Sequence, residues 1–363
     1  MSEPKTKKKI LVITPTLECG GAERFVSMFC NHINTNNFSV CLVVVNNAKP
    51  FYTITNPSIE IIDLKKTRVL FSLQSIKAVV KRFQPDIIFS TANHLNVYLG
   101  IFKNSFGKHI KFIARESSIV SINSQRTTMP RLYNRLLKKY YKRFDHIICQ
   151  SQYMQQDLCK HYHIPVNKTS VINNAVALET QSGQAMPAND GGKLYKFITV
   201  GRLSAEKGLE RLIHTVGLLS MPFQYFIIGE GEKKNDLKKL ISELDLQEKV
   251  FLLGEKKEPF KGLENADLFL MGSYYEGFPN ALAEAGALGI PAIAFNVPGG
   301  IAEIIDEGKN GMLVDDNDLL GYASAINDGI RTDFDRQQII ESTKQRFSIT
   351  AMMQKLEMLL MQS

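Results

Sequence analysis

Glu276-Gly-Phe-Pro-Asn-Ala-Leu-Ala-Glu284 reads as a loop running into a short helix that lies close against a sheet. Pro279 sits where the helix begins, with φ already set and no N–H to lose. Ala281, Ala283, Ala285, Gly286 and Ala287 are small enough for a close approach. Asn280 and Glu284 then share one face a turn apart, and Glu276 lies in the loop above the helix N-terminus. The N–H groups of that first turn suit an anion. Glu284 can accept both hydroxyls of a ribose diol, and Glu276 can hold a hydroxyl of a second sugar. A sugar nucleotide fits this layout. A helix with one capping acid and one solvated Glu fits it too, so the stretch needs support from elsewhere.

Two passages supply that support. Phe197-Ile-Thr-Val-Gly201-Arg202-Leu-Ser-Ala-Glu-Lys207-Gly208 reads as an apolar strand, a loop with two cations, and a helix from about Gly208. Arg202 and Lys207 stand at the carboxyl end of a parallel strand, where open α/β sheets bind ligands. A fork donor beside a point cation suits a diphosphate. Downstream, Pro298-Gly299-Gly300 follows a short strand at Ile293–Phe295, and its backbone is expected to approach a ligand closely.

The rest of the chain alternates in the same way. In the first half Lys9–Thr14, Ser39–Val45, Ile59–Asp63, Asp86–Ser90, Lys111–Arg115, His146–Cys149 and Thr169–Ile172 read as strands. Leu73, Ile76, Val79, Val80 and Phe83 give the helix before the fourth of them an apolar face. Lys196–Gly201, Gln224–Gly229, Val250–Leu253, Leu268–Met271, Ile293–Phe295 and Met312–Val314 continue the scheme. Such alternation predicts an α/β chain of two doubly wound parallel sheets. Turn-forming residues between Thr180 and Gly192 mark a linker at 181–192. The domains are therefore expected at 1–180 and 193–347, with a last helix at about 348–363.

Together these residues resemble the retaining, nucleotide-sugar-dependent glycosyltransferases of the GT-B fold, often called family 4. The resemblance runs from Ile10 to the last helix. It is most specific at Gly20-Gly21-Ala22-Glu23, at Gly-Arg-Leu followed by Glu-Lys-Gly, and at Glu-Gly-Phe-Pro-Asn followed by Glu-Ala. It implies two Rossmann-like domains facing a cleft, with the C-terminal helix crossing back to the first, acceptor-binding domain. The implied catalytic set is Glu276, Arg202 and Lys207. The implied donor contacts are those three with Gly20, Gly21, Gly277, Phe278, Pro279, Asn280, Ala281 and Glu284. Arg202 and Lys207 would hold the diphosphate, Glu284 the ribose and Glu276 the transferred sugar. The Gly20-Gly21 loop would reach the phosphates. UDP is the implied carrier of a hexose or N-acetylhexosamine, and the implied chemistry needs no metal and no other cofactor. Many members carry a His after the fifth strand, where this chain has Arg115-Glu116. Those two residues and His94 are therefore candidates for the sugar and acceptor side. A helix-start position is the plainer role for His94.

Composition narrows the alternatives. A chain of 363 residues, 44% hydrophobic, can build two cores. Cys19, Cys30, Cys41, Cys149 and Cys159 are odd in number and show no Cys-x-x-Cys spacing, so they read as free thiols of a cytoplasmic protein. No apolar stretch is long enough to span a membrane, and the start does not read as a signal peptide. Asp316-Asn-Asp318 spells a metal motif but precedes a helix and reads as a cap. Two carboxylates can also suit a hydrolase pair, which the cationic cluster and the ribose role for Glu284 disfavour; an epimerase or phosphorylase could share the layout, and the Glu-Gly-Phe-Pro-Asn…Glu motif disfavours it. Residues 1–180 carry 25 Lys and Arg against 10 Asp and Glu, while residues 181–363 carry 19 against 26. That asymmetry calls for a partner that one half alone meets. No stacking platform or nucleic-acid signature accompanies the basic half. Arg131, Arg135, Lys138, Lys139 and Lys142 fall on one side of a helix whose other side carries Tyr133, Leu136, Leu137, Tyr140 and Phe144. The basic half is accordingly expected to dock on an anionic membrane face and take a lipid-linked or cell-envelope glycan acceptor.

Overall fold

The computed structural model of the chain describes residues 7–176 and 194–363, so the linker expected at 181–192 lies outside the described residues. Two compact units result, Met1–Ala175 with Ile349–Ser363, and Val176–Ser348.

The first unit runs β1 (Lys8–Thr14), α1 (Gly21–His32), β2 (Phe38–Val44), β3 (Glu60–Asp63), α2 (Leu73–Phe83), β4 (Ile87–Ser90) and α3 (Asn93–Phe102). It continues β5 (Lys111–Arg115), α4 (Val120–Gln125), α5 (Pro130–Tyr140), β6 (His146–Cys149), α6 (Gln152–Tyr162) and β7 (Thr169–Val171). Its strands are all parallel, in the order β3-β2-β1-β4-β5-β6-β7. Ile10–Ile13 and Cys41–Val44 are fully buried, as expected of parallel strands covered on both faces.

The second unit comprises β8 (Tyr195–Val200), α7 (Leu209–Gly217), β9 (Phe223–Ile228), α8 (Lys234–Glu243), β10 (Val250–Leu252) and β11 (Leu268–Met271). It then adds α9 (Asn280–Ala287), β12 (Ala292–Asn296), α10 (Ile301–Ile304), β13 (Gly311–Asp315), α11 (Leu319–Gly329) and α12 (Arg336–Phe347). The parallel order is β10-β9-β8-β11-β12-β13. Both sheets thus reverse their strand order beside the first strand, between β1 and β4 and between β8 and β11. In doubly wound sheets ligands bind outside the carboxyl ends of the strands at that reversal.

The final helix, α13 (Ile349–Gln362), belongs to the first unit. Met352, Met353, Leu356 and Leu360 join the core formed by Phe25, Val26 and Phe29 of α1.

One device recurs where strands begin. Asp86 accepts from the Lys9 N–H at 2.8 Å, Asp145 from Phe112 N–H at 2.8 Å and Asp267 from Lys196 N–H at 2.8 Å. Each aspartate immediately precedes a strand and ties the start of its neighbour. Asp318 caps α11 by accepting from Gly321 N–H, the role expected for it, while Asp316 pairs with Arg211. All five cysteines are free thiols: Cys30, Cys41 and Cys149 are buried and Cys19 is exposed.

Candidate active site

The reversal point of the second unit gathers the candidate residues. After β8 the chain turns through a short 3₁₀ segment, Ala205–Lys207, and Gly208 adopts φ +54° before α7 begins. A Cβ on Gly208 would lie 2.0 Å from the Gly272 carbonyl oxygen, so only glycine brings this turn against the end of β11. That contact places Lys207 beside the loop carrying Ser273 and Glu276. Lys207 Nζ donates to Glu276 Oε1 at 2.6 Å, and Ser273 Oγ donates to the same oxygen at 2.7 Å. Glu276 is 9% exposed and Ser273 2%, so the carboxylate is fixed rather than solvated. Arg202 differs: its side chain is 68% exposed and its guanidinium lies 4.0 Å from Glu206. It stands on a loop laced to the next one, since Gly201 N–H donates to Ile228 and Leu203 N–H to Glu230.

Two residues that the sequence reading passed over organise the loop. Arg211 of α7 is buried and donates from Nε to the Gly272 carbonyl at 2.6 Å and from Nη2 to that of Ser273 at 2.5 Å. Its Nη1 meets Asp316 at 2.6 Å, and its plane lies 4.0 Å from the Tyr274 ring centroid and 3.9 Å from that of Phe295. Arg211 therefore holds Ser273, and Ser273 holds Glu276. Its signal was an arginine among the apolar positions Leu209, Leu212, Ile213 and Val216.

The Pro298-Gly299-Gly300 backbone, expected to approach a ligand closely, makes a close approach to the Glu276 backbone. Glu276 N–H donates to the Pro298 carbonyl at 3.0 Å and Gly300 N–H returns to that of Glu276 at 3.1 Å. Gly299 has φ +127°, and a Cβ there would lie 1.6 Å from the Glu276 oxygen. The glycine is required by this clasp.

Helix α9 starts one residue past Pro279, which takes the cap position. Asn280 occupies the first turn and Glu284 the second, 7% exposed, with Ala281 and Gly277 part-buried near the helix start. Phe278, one of the expected donor contacts, turns its side chain into the core. Its side chain is buried and meets Phe347 edge-on, with ring centroids 5.4 Å apart, so it anchors the loop to α12.

In the first unit Gly20 caps α1 in extended backbone and Gly21 opens the helix, exposed. His94 is the second residue of α3 and is exposed, a helix-start position. Arg115 and Glu116, candidates for the sugar and acceptor side, are each fully buried. Glu116 accepts from Asn96 at 2.6 Å, Tyr141 at 2.6 Å and Asn93 at 3.0 Å. Burial nevertheless raises its carboxyl above the ordinary range. Arg115 stacks 3.8 Å from the Phe25 ring centroid and donates to Asn174, and burial pulls its guanidinium down to about 9. These charges support the end of β5 from within.

Comparison with known proteins agrees with this architecture. The family described as "Glycosyltransferase Family 4" matches residues 19–180, and "Glycosyl transferases group 1" matches residues 187–346. An N-acetylgalactosamine-N,N'-diacetylbacillosaminyl-diphospho-undecaprenol 4-alpha-N-acetylgalactosaminyltransferase of Campylobacter jejuni is 28% identical over 319 residues, 85% of this chain and 86% of that protein. The solved structure of a lipopolysaccharide outer core galactosyltransferase, WaaB in its apo form, has a TM-score of 0.77 at 19% identity, covering 96% of this chain and 98% of that one. HepE of Anabaena, solved with UDP-glucose, has a TM-score of 0.79 at 20% identity over 98% and 100% of the two chains. With two parallel sheets of reversed order and both halves matched, the chain belongs to the GT-B glycosyltransferases of family 4.

Proposed function

We propose that this glycosyltransferase moves a hexose or N-acetylhexosamine from a UDP-sugar to a hydroxyl of a lipid-linked or cell-envelope glycan, with retention of anomeric configuration. The observation that carries the reading is the Lys207–Glu276 pair at the strand reversal, beside Arg202 and the amino end of α9.

Breaking the anomeric bond puts negative charge on the departing diphosphate. Exposed Arg202, Lys207 and the first-turn amides of α9 are the groups suited to receive it, and charge-assisted hydrogen bonds are worth about 1.5–3 kcal/mol each. This scheme uses no metal. Glu276, held by Ser273 and Lys207, orients the transferred sugar, while Glu284 takes the ribose diol. The departing phosphate itself accepts the proton of the incoming hydroxyl from the same face. The donor assignment is supported by the UDP-glucose bound to HepE, and the acceptor class by the diphospho-undecaprenol named for the Campylobacter relative.

The partner surface in this reading is an anionic, cytoplasmic membrane face met by the basic first unit. Arg131, Arg135, Lys138, Lys139 and Lys142 are exposed along α5 and the turn after it, while Leu137, Tyr141 and Phe144 are buried. Arg131, Arg135 and Lys138 line a groove of about 440 Å³ together with His161. Among the described residues no helix is long and apolar enough to cross a membrane, so the association proposed is peripheral. Nucleic acid has no place in the scheme.

A thermal-shift screen against UDP-, GDP- and ADP-sugars tests the donor, because a bound ligand raises stability by mass action. Stabilisation by UDP-sugars, followed by transfer of radiolabel to a lipid-linked acceptor, is expected. Preference for GDP- or ADP-sugars would overturn the donor assignment.

A further inference from the structure

We infer that the turn Val69–Phe71 is an apolar wedge that inserts into the interface of an anionic lipid membrane. The inference rests on the membrane reading above and goes beyond it, because that reading invokes surface charge on α5 and no insertion.

Leu70 and Phe71 are neighbouring large apolar side chains that both stand strongly exposed, at 69% and 64%. They are held out rather than left loose. Val69–Phe71 is a 3₁₀ turn closed by Phe71 N–H on the Arg68 carbonyl at 3.1 Å and Ser72 Oγ on that of Val69 at 2.6 Å. Ser72 is fully buried, and Tyr98 of α3 donates to the Leu70 carbonyl at 3.2 Å. A turn fastened through its backbone presents both side chains without a partner from the core.

Charge identifies the occupant. Between Asp63 and Asp86 the chain carries Lys65, Lys66, Arg68, Lys77, Lys81 and Arg82 and no acid. A cationic segment with protruding Leu and Phe matches an anionic lipid interface, where apolar tips enter the acyl boundary and cations meet phosphates. A protein partner or second copy would have to be acidic around an apolar socket. Helix α3 also touches α5, through the hydrogen bond from Tyr133 to Asn93, and the start of α5 exposes Met129 and Leu132 among its cations. The turn and α5 thus flank one helix, each combining apolar tips with cations.

The chain contains no tryptophan, so Phe71→Trp introduces a single reporter. The full chain carrying it is mixed with vesicles of equal parts phosphatidylglycerol and phosphatidylcholine, with phosphatidylcholine vesicles as control. Sedimentation reads docking, and Trp emission with quenching by brominated acyl chains reads insertion. Blue-shifted, bromine-quenched emission on anionic vesicles is expected, retained in part when salt has weakened the electrostatic attraction. Leu70→Ser with Phe71→Ser should lower vesicle partitioning about tenfold or more, the loss expected when two apolar side chains no longer leave water. Sedimentation with unshifted, unquenched emission would overturn insertion while leaving membrane docking intact. Failure to sediment with either vesicle would overturn both. Emission already blue-shifted without lipid, and rising with protein concentration, would assign the turn to a second copy instead and overturn the lipid wedge.

Discussion

Lys207 Nζ stands 2.6 Å from Glu276 Oε1, so the cation assigned to the leaving diphosphate and the carboxylate assigned to the sugar form one ion pair. Neither side chain is exposed enough to be screened freely: Lys207 is 27% exposed at its side chain and Glu276 10%. The pair spans two loops that leave adjacent parallel strands, β8 and β11. Each group positions the other, and their substitutions are expected to interact.

Glu276→Gln should lower kcat about 100-fold or more, in the range for loss of one preorganised electrostatic contact. Lys207→Ala should lower it comparably and weaken UDP binding as well. The double variant should fall short of the product of the two losses, with a coupling of about 0.5–3 kcal/mol. Steady-state kinetics on the four proteins measures this. Strict additivity would show two independent contacts, and near-normal kcat in folded Glu276→Gln would remove Glu276 from the chemistry.

Arg202 offers a cleaner separation of binding from stability. Its side chain is 68% exposed and its ionic neighbour Glu206 is 4.0 Å away, a geometry that contributes little to folding. Arg202→Ala should therefore unfold at nearly the parent temperature while binding UDP about ten- to a hundredfold more weakly. Calorimetric titration of UDP makes the comparison. Unchanged UDP affinity would move the diphosphate away from the end of β8.

Arg211 lies one step behind the chemistry. Arg211→Ala would leave Asp316 without its 2.6 Å partner and strip donors from the carbonyls of Gly272 and Ser273, at a cost of about 1–3 kcal/mol for each buried carbonyl left unpaired. Arg211→Lys should rescue little, because one ammonium cannot reproduce a planar fork between two rings. Denaturation with urea tests stability. In Arg211→Lys preparations that remain folded, kcat should drop more than UDP affinity, since Ser273 and Glu276 lose their alignment. Loss of UDP affinity with kcat unchanged would contradict that positioning role.

The strands were legible because their apolar runs are bounded by residues with a backbone task. Asp86 and Asp267 precede Ile87 and Leu268 and tie the neighbouring strand, so composition changes abruptly at the true edge. The Glu276–Glu284 stretch was legible for a similar reason: Pro279 and the alanines after it restrict the backbone locally. What could not be read depends on distant segments. Arg211 drew no reading from the sequence, because its partners are two carbonyls after β11 and an aromatic face of β12. Gly299 seemed ligand-directed because its close neighbour, the Glu276 carbonyl, is remote in sequence. Arg115 and Glu116 looked like charges at a strand end, and Asn93, Asn96, Tyr141, Phe25 and Asn174, from four other segments, make their burial tolerable.

Glu116 gives the last prediction, a dependence on pH. Its carboxyl is fully buried, and burial raises its pKa above the ordinary 4.5 despite the donors Tyr141, Asn93 and Asn96. Below about pH 4.5 the group is protonated whether the chain is folded or not. As pH rises through that value the unfolded chain releases its proton first, while the folded chain keeps it. The folded state then holds more protons than the unfolded one, and stability falls until the folded carboxyl also ionises. Glu116→Gln has no such titration. The melting temperature of the parent minus that of Glu116→Gln should therefore be highest near pH 4 and decline toward neutrality, whatever the offset between them. A hydrogen bond lost by Gln at this site shifts the offset and not the slope. A difference that stays level, or climbs with pH, would mean that the three donors and Arg115 hold Glu116 ionised as readily in the fold as in water.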